Sequence, residues 1–278
     1  RDAPAEAAPG PRPAEPAFRG RIEFDRVTFS YDGRTPVLED VSFTVEPGEK
    51  VALVGATGSG KTTTVSLLLG FYQPQGGVIR VDGRPLAAWD MHALRRRVGL
   101  VLQDPFLFSG TVAGNLALAD PDLPREALVA AAREVHADRF VERLPGGYDA
   151  EVRERGATFS AGERQLLAIA RALAADPRVL LLDEATSSVD TQTEALIQDG
   201  LRRLMRGRTS LVIAHRLSTI QDVDRIVVLH HGRVRETGTH AELLARGGIY
   251  ARLYQLQYLG ERTLRDAPPA APGPPDTP

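Results

Sequence analysis

The run Gly55-Ala-Thr57-Gly58-Ser59-Gly60-Lys61-Thr62 has the residue types that phosphate binding needs. Glycines let the backbone fold so that successive N–H groups point inward at anionic oxygens. Lys61 supplies a compact charge to β- and γ-phosphates, and the Thr62 hydroxyl can ligand Mg²⁺. The apolar strand Val51–Val54 precedes the run and the apolar helix Thr63–Leu69 follows it, so a helix start adds its positive dipole end. A glycine-rich turn before a helix is common, but eight matched positions between a strand and a helix are not. Thr63, next on the helix, joins the expected phosphate contacts.

A second signal is Val179-Leu-Leu-Leu-Asp183-Glu184, a buried-strand run ending in two carboxylates. A strand leaving the C-terminal edge of a parallel sheet puts its last side chains beside the phosphate loop. Asp183 is then expected to hold Mg²⁺ through water, and Glu184 to polarise the attacking water as general base. Alone the pattern is weak, because helix starts also favour acids. Behind a phosphate loop it is strong.

Composition narrows the rest. The 278 residues carry 34 basic side chains and 36 acidic ones, a net charge of −2, which gives no electrostatic case for binding nucleic acid. Hydrophobic residues make up 42%, enough for a packed core. No apolar run approaches a membrane span and no charged-then-apolar leader opens the chain. Cysteine is absent, which excludes disulfides and thiolate metal sites. Only Lys50 and Lys61 are lysine among the basic residues, so a lysine within the phosphate loop is informative. A planar guanidinium does not replace an ammonium that the loop wraps closely.

The elements that must position these groups follow from periodicity. Strands are expected at Arg21–Phe29, Val41–Val45, Lys50–Val54, Val78–Val81, Val98–Leu102, Val179–Leu182, Ser210–Ala214 and Arg225–Leu229. Helical faces recur at Leu166, Ile169, Ala170, Leu173 and at Ile197, Leu201, Leu204, Met205. Short apolar strands alternating with such helices predict a parallel sheet covered on both faces. Leu123–Val135 and Ala137–Leu144 are consecutive helical patterns and predict a helical insert. Proline- and alanine-rich ends, 1–20 and 263–278, read as a linker and a tail that cannot offset the entropy of ordering.

The run Phe159-Ser160-Ala-Gly162-Glu163-Arg-Gln-Leu-Leu-Ala-Ile-Ala-Arg171-Ala-Leu closely resembles the signature of ATP-binding cassette (ABC) proteins. The resemblance extends over roughly residues 21–258. It implies an α/β fold of P-loop NTPase (RecA-like) type, a parallel-sheet core with an antiparallel β subdomain and a helical subdomain near 104–175, together filling 21–262. By the same resemblance Tyr31 stacks on adenine and Gln103 joins Mg²⁺ to the transmembrane contact. Ser188-Val189-Asp190 is similar to the D-loop, and His215 to the switch histidine at the γ-phosphate. Singly, Tyr31 and Gln103 also suit a strand aromatic and a solvated strand end; their joint order favours the family. The implied cofactors are ATP and Mg²⁺.

Three further segments are similar to exporters: Phe106 to Leu116, Glu151 to Gly156, and Gly238 to Leu244. That branch implies a transmembrane domain, fused ahead of this one or associated with it, at the cytoplasmic face of the inner membrane. A Pro-rich start without Met fits a cassette cut from such a fusion. Pro105–Phe108 is expected to help dock that missing half, or else to be ordinary core. The alternative is a soluble cassette acting on nucleic acid or ribosomes, which usually has two cassettes or a long coiled coil.

The resemblance also implies that two such domains close head to tail on two ATP molecules, each lending its signature to the other's phosphate loop. The usual Leu-Ser-Gly-Gly-Gln is here Phe-Ser-Ala-Gly-Glu, which adds a methyl and a negative charge near a tetra-anionic nucleotide. Ser160-x-x-Glu163 is also a capping box, with the carboxylate turned back on the helix start. The second domain can be a copy of this chain or a different one; the departure motivates a heterodimer, in which this altered signature serves a weaker site on a different partner.

Overall fold

The computed structural model describes residues 18–153, 156–183, 189–214 and 217–256. The chain is fastened where it enters. The backbone N–H groups of Arg19, Gly20 and Arg21 all donate to the Asp82 carboxylate, at 2.8, 3.2 and 2.8 Å. Phe18 stands perpendicular to Trp89 with ring centres 5.8 Å apart, and the Arg97 guanidinium lies over it at 5.1 Å. Gly20 passes so close to the foot of the central sheet that a Cβ there would approach Val179 Cγ2 to 2.8 Å.

β1 (Ile22–Phe29) and β2 (Leu38–Val45) pair antiparallel. Alternation buries Ile22 and Phe24; the register then shifts around Arg26, whose φ is 50°, so that Val27 and Phe29 face inward next. β3 (Lys50–Val54) leads into α1 (Lys61–Leu68). β4 (Gly76–Val81) then pairs with the other side of β1 and turns into β5 (Arg84–Pro85), completing a four-stranded antiparallel sheet. α2 (Met91–Arg95), capped by the Asp90 side chain, precedes β6 (Val98–Val101).

The helical insert follows. It contains β7 (Gly110–Thr111), α3 (Val112–Leu116), α4 (Arg125–Glu134), α5 (Asp138–Val141) and β8 (Glu151–Val152), with β7 and β8 paired. α6 (Ala161–Ala174) returns the chain to β9 (Val179–Asp183). α7 (Thr191–Met205), β10 (Thr209–Ile213), α8 (Leu217–Gln221), β11 (Arg225–His230) and β12 (Arg233–Gly238) come next. α9 (His240–Ala245) and α10 (Ile249–Tyr254) close the described chain.

The main sheet has the order β12-β11-β3-β10-β9-β6, parallel except for β12. Alternation sorts its residues into two cores. Val51, Leu53, Val179, Leu181, Leu211 and Ile213 join the antiparallel sheet and α1. Ala52, Val54, Leu180, Leu182 and Val212 join the helices on the other side. Both faces are therefore covered, one by a β layer together with α1 and the other by helices. Among the described residues no helix is long and apolar enough to cross a membrane.

All eight expected strands are present, Lys50–Val54 with the same ends and the others with ends moved by one to three residues. β12 was not anticipated, because Arg233-Val-Arg-Glu-Thr-Gly238 is charged on an edge that needs only one apolar side. The two helical patterns of the insert appear as α4 and α5, the second shorter than its periodicity suggested.

Candidate nucleotide site

The site begins where β3 stops. Val54 ends the strand, and Gly60, at a left-handed φ of 105°, starts α1. Gly55 has no room for a side chain, since a Cβ would collide with the Leu229 carbonyl oxygen of neighbouring β11. Thr57 and Gly58 lie exposed on the crest of the loop, and Thr62 is exposed at the helix start. Ser59 is buried, and its Oγ has no hydrogen-bond partner among the described residues. A loop that buries an unpartnered hydroxyl beside exposed amide-bearing turns suits an oxygen-rich anion.

Lys61 is buried, at 7% exposure, and folds over the loop so that Nζ donates to the carbonyls of Gly55 at 2.7 Å and Ala56 at 3.1 Å. Burial pulls its ammonium below the usual lysine range, while the negative Asp183 pulls it back up. Asp183 lies in that field for a topological reason. It ends β9 opposite Ile213 at the end of β10, and Ile213 lies opposite Leu53, one residue before the end of β3, so the three strands finish within one residue of a common row. The phosphate loop and the acidic strand end thus meet at the carboxyl edge of the sheet.

Thr63 is buried, and its Oγ1 shares a 3.1 Å hydrogen bond with the Tyr31 hydroxyl. Tyr31 follows β1 and remains 56% exposed, which leaves ring surface for a flat partner. Gln103 is exposed two positions beyond β6. Glu184, Ser188 and His215 lie outside the described residues, as do residues 1–17 and 257–278. Glu184 directly follows Asp183, and His215 follows β10 by two positions.

The signature residues lie against α7. Ser160 caps α6: its N–H donates to Glu163 Oε2 at 2.8 Å, and the Glu163 N–H donates to Ser160 Oγ at 3.2 Å. Gly162 packs so tightly on α7 that a Cβ would collide with Thr193 Cγ2. Asp190 caps α7, accepting from the N–H groups of Gln192 and Thr193 at 3.1 and 3.0 Å. Its motif gave no sign of that second duty.

The Pro105–Phe108 segment divides its residues. Pro105 and Leu107 are buried, while Phe106 and Phe108 are exposed with ring centres 4.9 Å apart. Asn115 and Arg171 hold the segment. The Asn115 amide closes on both backbone groups of Phe108 at 2.8 and 2.7 Å, and Arg171 donates to Asn115 and to the Phe106 carbonyl. Burial lowers the Arg171 guanidinium below its usual range. Both residues stood inside recognised motifs, but nothing in their spacing indicated this contact.

A family model described as "ABC transporter" matches residues 38–187. The chain is 54% identical over 261 residues to an ATP-dependent lipid A-core flippase of Alkalilimnicola ehrlichii, covering 93% of this chain and 44% of that protein. It is 51% identical over 248 residues to a fatty acid ABC transporter ATP-binding/permease protein of Mycobacterium bovis, covering 89% and 39%. A solved bacterial Atm1-family ABC exporter with ATP bound is similar with a TM-score of 0.82 at 42% identity, covering 93% of this chain and 44% of that one. The chain therefore spans less than half the length of the relatives it matches. By phosphate loop, sheet order and sequence alike, it belongs to the ABC transporter family and has the form of an exporter-type nucleotide-binding domain.

Proposed function

We propose that this domain binds MgATP, hydrolyses it, and pairs head to tail with a second such domain to drive export through a transmembrane domain at the cytoplasmic face of the inner membrane. The observation that carries the reading is Lys61, buried at the start of α1 within the field of Asp183. Relatives named as ATP-binding/permease proteins support the exporter over a soluble cassette. Their named cargoes differ, among them fatty acid and β-(1→2)glucan, which suits a choice of cargo made by the permease portion.

Each residue then has a task. The backbone of the loop from Gly55 to Gly60 cradles the phosphates, and Lys61 exchanges its two carbonyl partners for the β- and γ-oxygens. Tyr31 stacks on the base. Thr62, Asp183 and Gln103 would hold Mg²⁺, which would supply positive charge against the phosphates. Glu184 takes a proton from the attacking water as the water oxygen bonds to the γ-phosphorus and the bond from that phosphorus to the bridging oxygen breaks, leaving ADP and inorganic phosphate. His215 steadies the γ-phosphate. Ser160 and Gly162 face the γ-phosphate held by the partner domain, and Asp190 lies in the same contact. We take the domain to span 21–262.

Phosphate release by the full-length protein tests the reading. Glu184→Gln should retain MgATP binding while its turnover falls at least about a hundredfold, the range of a lost general base. Unchanged turnover would refute Glu184 as that base.

A further inference from the structure

We propose that Tyr72 and Gln75, on the connection between α1 and β4, are positioning residues that hold Tyr31 as a preformed platform for the nucleotide base. The inference rests on the reading of Tyr31 as the base-stacking residue.

Two independent sets of contacts support it. Gln75 acts as an added stretch of backbone beside the Tyr31 loop. Its side-chain oxygen accepts from the Ser30 N–H at 2.8 Å, and its side-chain nitrogen donates to the Ser30 carbonyl at 2.8 Å. Its own N–H donates to the Thr28 carbonyl at 2.9 Å. The residue immediately before Tyr31 is therefore satisfied on both backbone groups by one amide.

The second set acts on the ring. Tyr72 stands at 88° to Tyr31 with centres 5.1 Å apart, and buried Phe29 stands at 85° and 4.9 Å. Phe29 and Tyr72 also touch each other at 5.5 Å, which closes a triangle. The Thr63 hydroxyl fixes the far end of Tyr31 to α1, next to the phosphate loop. Perpendicular aromatic pairs are attractive beyond the area they bury. Tyr72 is nevertheless 45% exposed, so burial alone does not explain its place.

An exposed tyrosine held on several sides loses little freedom when a base stacks on it. Immobilising a loose side chain typically weakens binding by about 3- to 10-fold. That penalty concerns the base alone, because the phosphates are held by a different loop.

Calorimetric titration of the chain with MgATP and with magnesium tripolyphosphate, which lacks base and sugar, separates the two effects. Tyr72→Ala and Gln75→Ala should each weaken MgATP by about 3- to 10-fold and leave tripolyphosphate unchanged, with Tyr72→Phe restoring ATP affinity through its ring. Equal weakening of both ligands, or no weakening of ATP, overturns the inference. Tyr31→Ala belongs in the same series. If it spares ATP affinity, the base-stacking reading itself fails; if it lowers ATP affinity while the other two variants do not, only the positioning role fails.

Discussion

The Glu163 carboxylate closes back on the N–H of Ser160 at 2.8 Å, so the start of α6 is already engaged by a negative group of its own. The same helix start is the surface proposed to meet a partner's γ-phosphate, and two anions compete for one positive helix end. Glutamine can form the same capping box without the charge. Glu163→Gln should therefore leave stability within about 0.5 kcal/mol and strengthen ATP-dependent pairing of two domains. Sedimentation in the Glu184→Gln background measures this, and equal pairing affinity would remove the competition from the account.

Gly162 has no space for a methyl, since Thr193 of α7 occupies it. Gly162→Ala should cost about 1–3 kcal/mol in urea unfolding through overpacking. A midpoint equal to that of the parent would mean that α6 and α7 can separate freely.

Asn115 is 2% exposed and serves Arg171, Phe108 and Thr111 together. Asn115→Ala leaves the partly desolvated guanidinium short of an acceptor, a loss of about 2–4 kcal/mol. Arg171→Lys should rescue little, because an ammonium cannot span the Phe106 carbonyl and both Asn115 oxygens as a planar fork does. Denaturant midpoints of the two variants check both statements.

Asp199, on α7, ties that helix to the turn between α4 and α5 of the helical insert. Its Oδ2 lies 2.7 Å from His136 Nε2 and accepts from Arg203 Nε at 2.8 Å, with Glu134 on the other side of Arg203. The bond to His136 does most to hold the carboxyl below its ordinary value; burial opposes it, and the bond to Arg203 then adds to the lowering. A folded value below the unfolded one, which is near about 3.9, stabilises the protein at higher pH and is lost as pH falls through the folded value. Asp199→Asn should therefore destabilise at neutral pH, with the difference narrowing below about pH 4. A constant difference across an acid series of urea titrations would contradict the strap.

What could be read from the sequence was local. The phosphate loop, the Asp183 strand end, the Ser160–Glu163 capping box and the helical insert each depend on neighbours a few positions away. The contacts of Tyr31 do not. Ser30 and Gln75 are 45 positions apart, and neither residue type suggests the other. The layering was partly hidden for the same reason. Alternation identifies β1, β2 and β4 as half-buried strands; the family resemblance, not alternation, implied a separate antiparallel sheet, and tertiary pairing shows which strands form it and which face it covers. β12 fell below recognition because Arg233 and Glu236 interrupt its apolar pattern.

The fastening at Arg19–Arg21 brings the entering chain next to the strand that carries Asp183. Asp82 and the Trp89 stack are the first contacts that the chain makes with the rest of the fold among the described residues. Gly20 there presses on Val179, the first residue of β9, and Asp183 is the last. A single hydrogen-bonded strand, about 13 Å from end to end, is thus a rigid rod between the tether and the acidic side chain. No loop lies between the residue that Gly20 packs against and the acidic side chain at the other end of the strand.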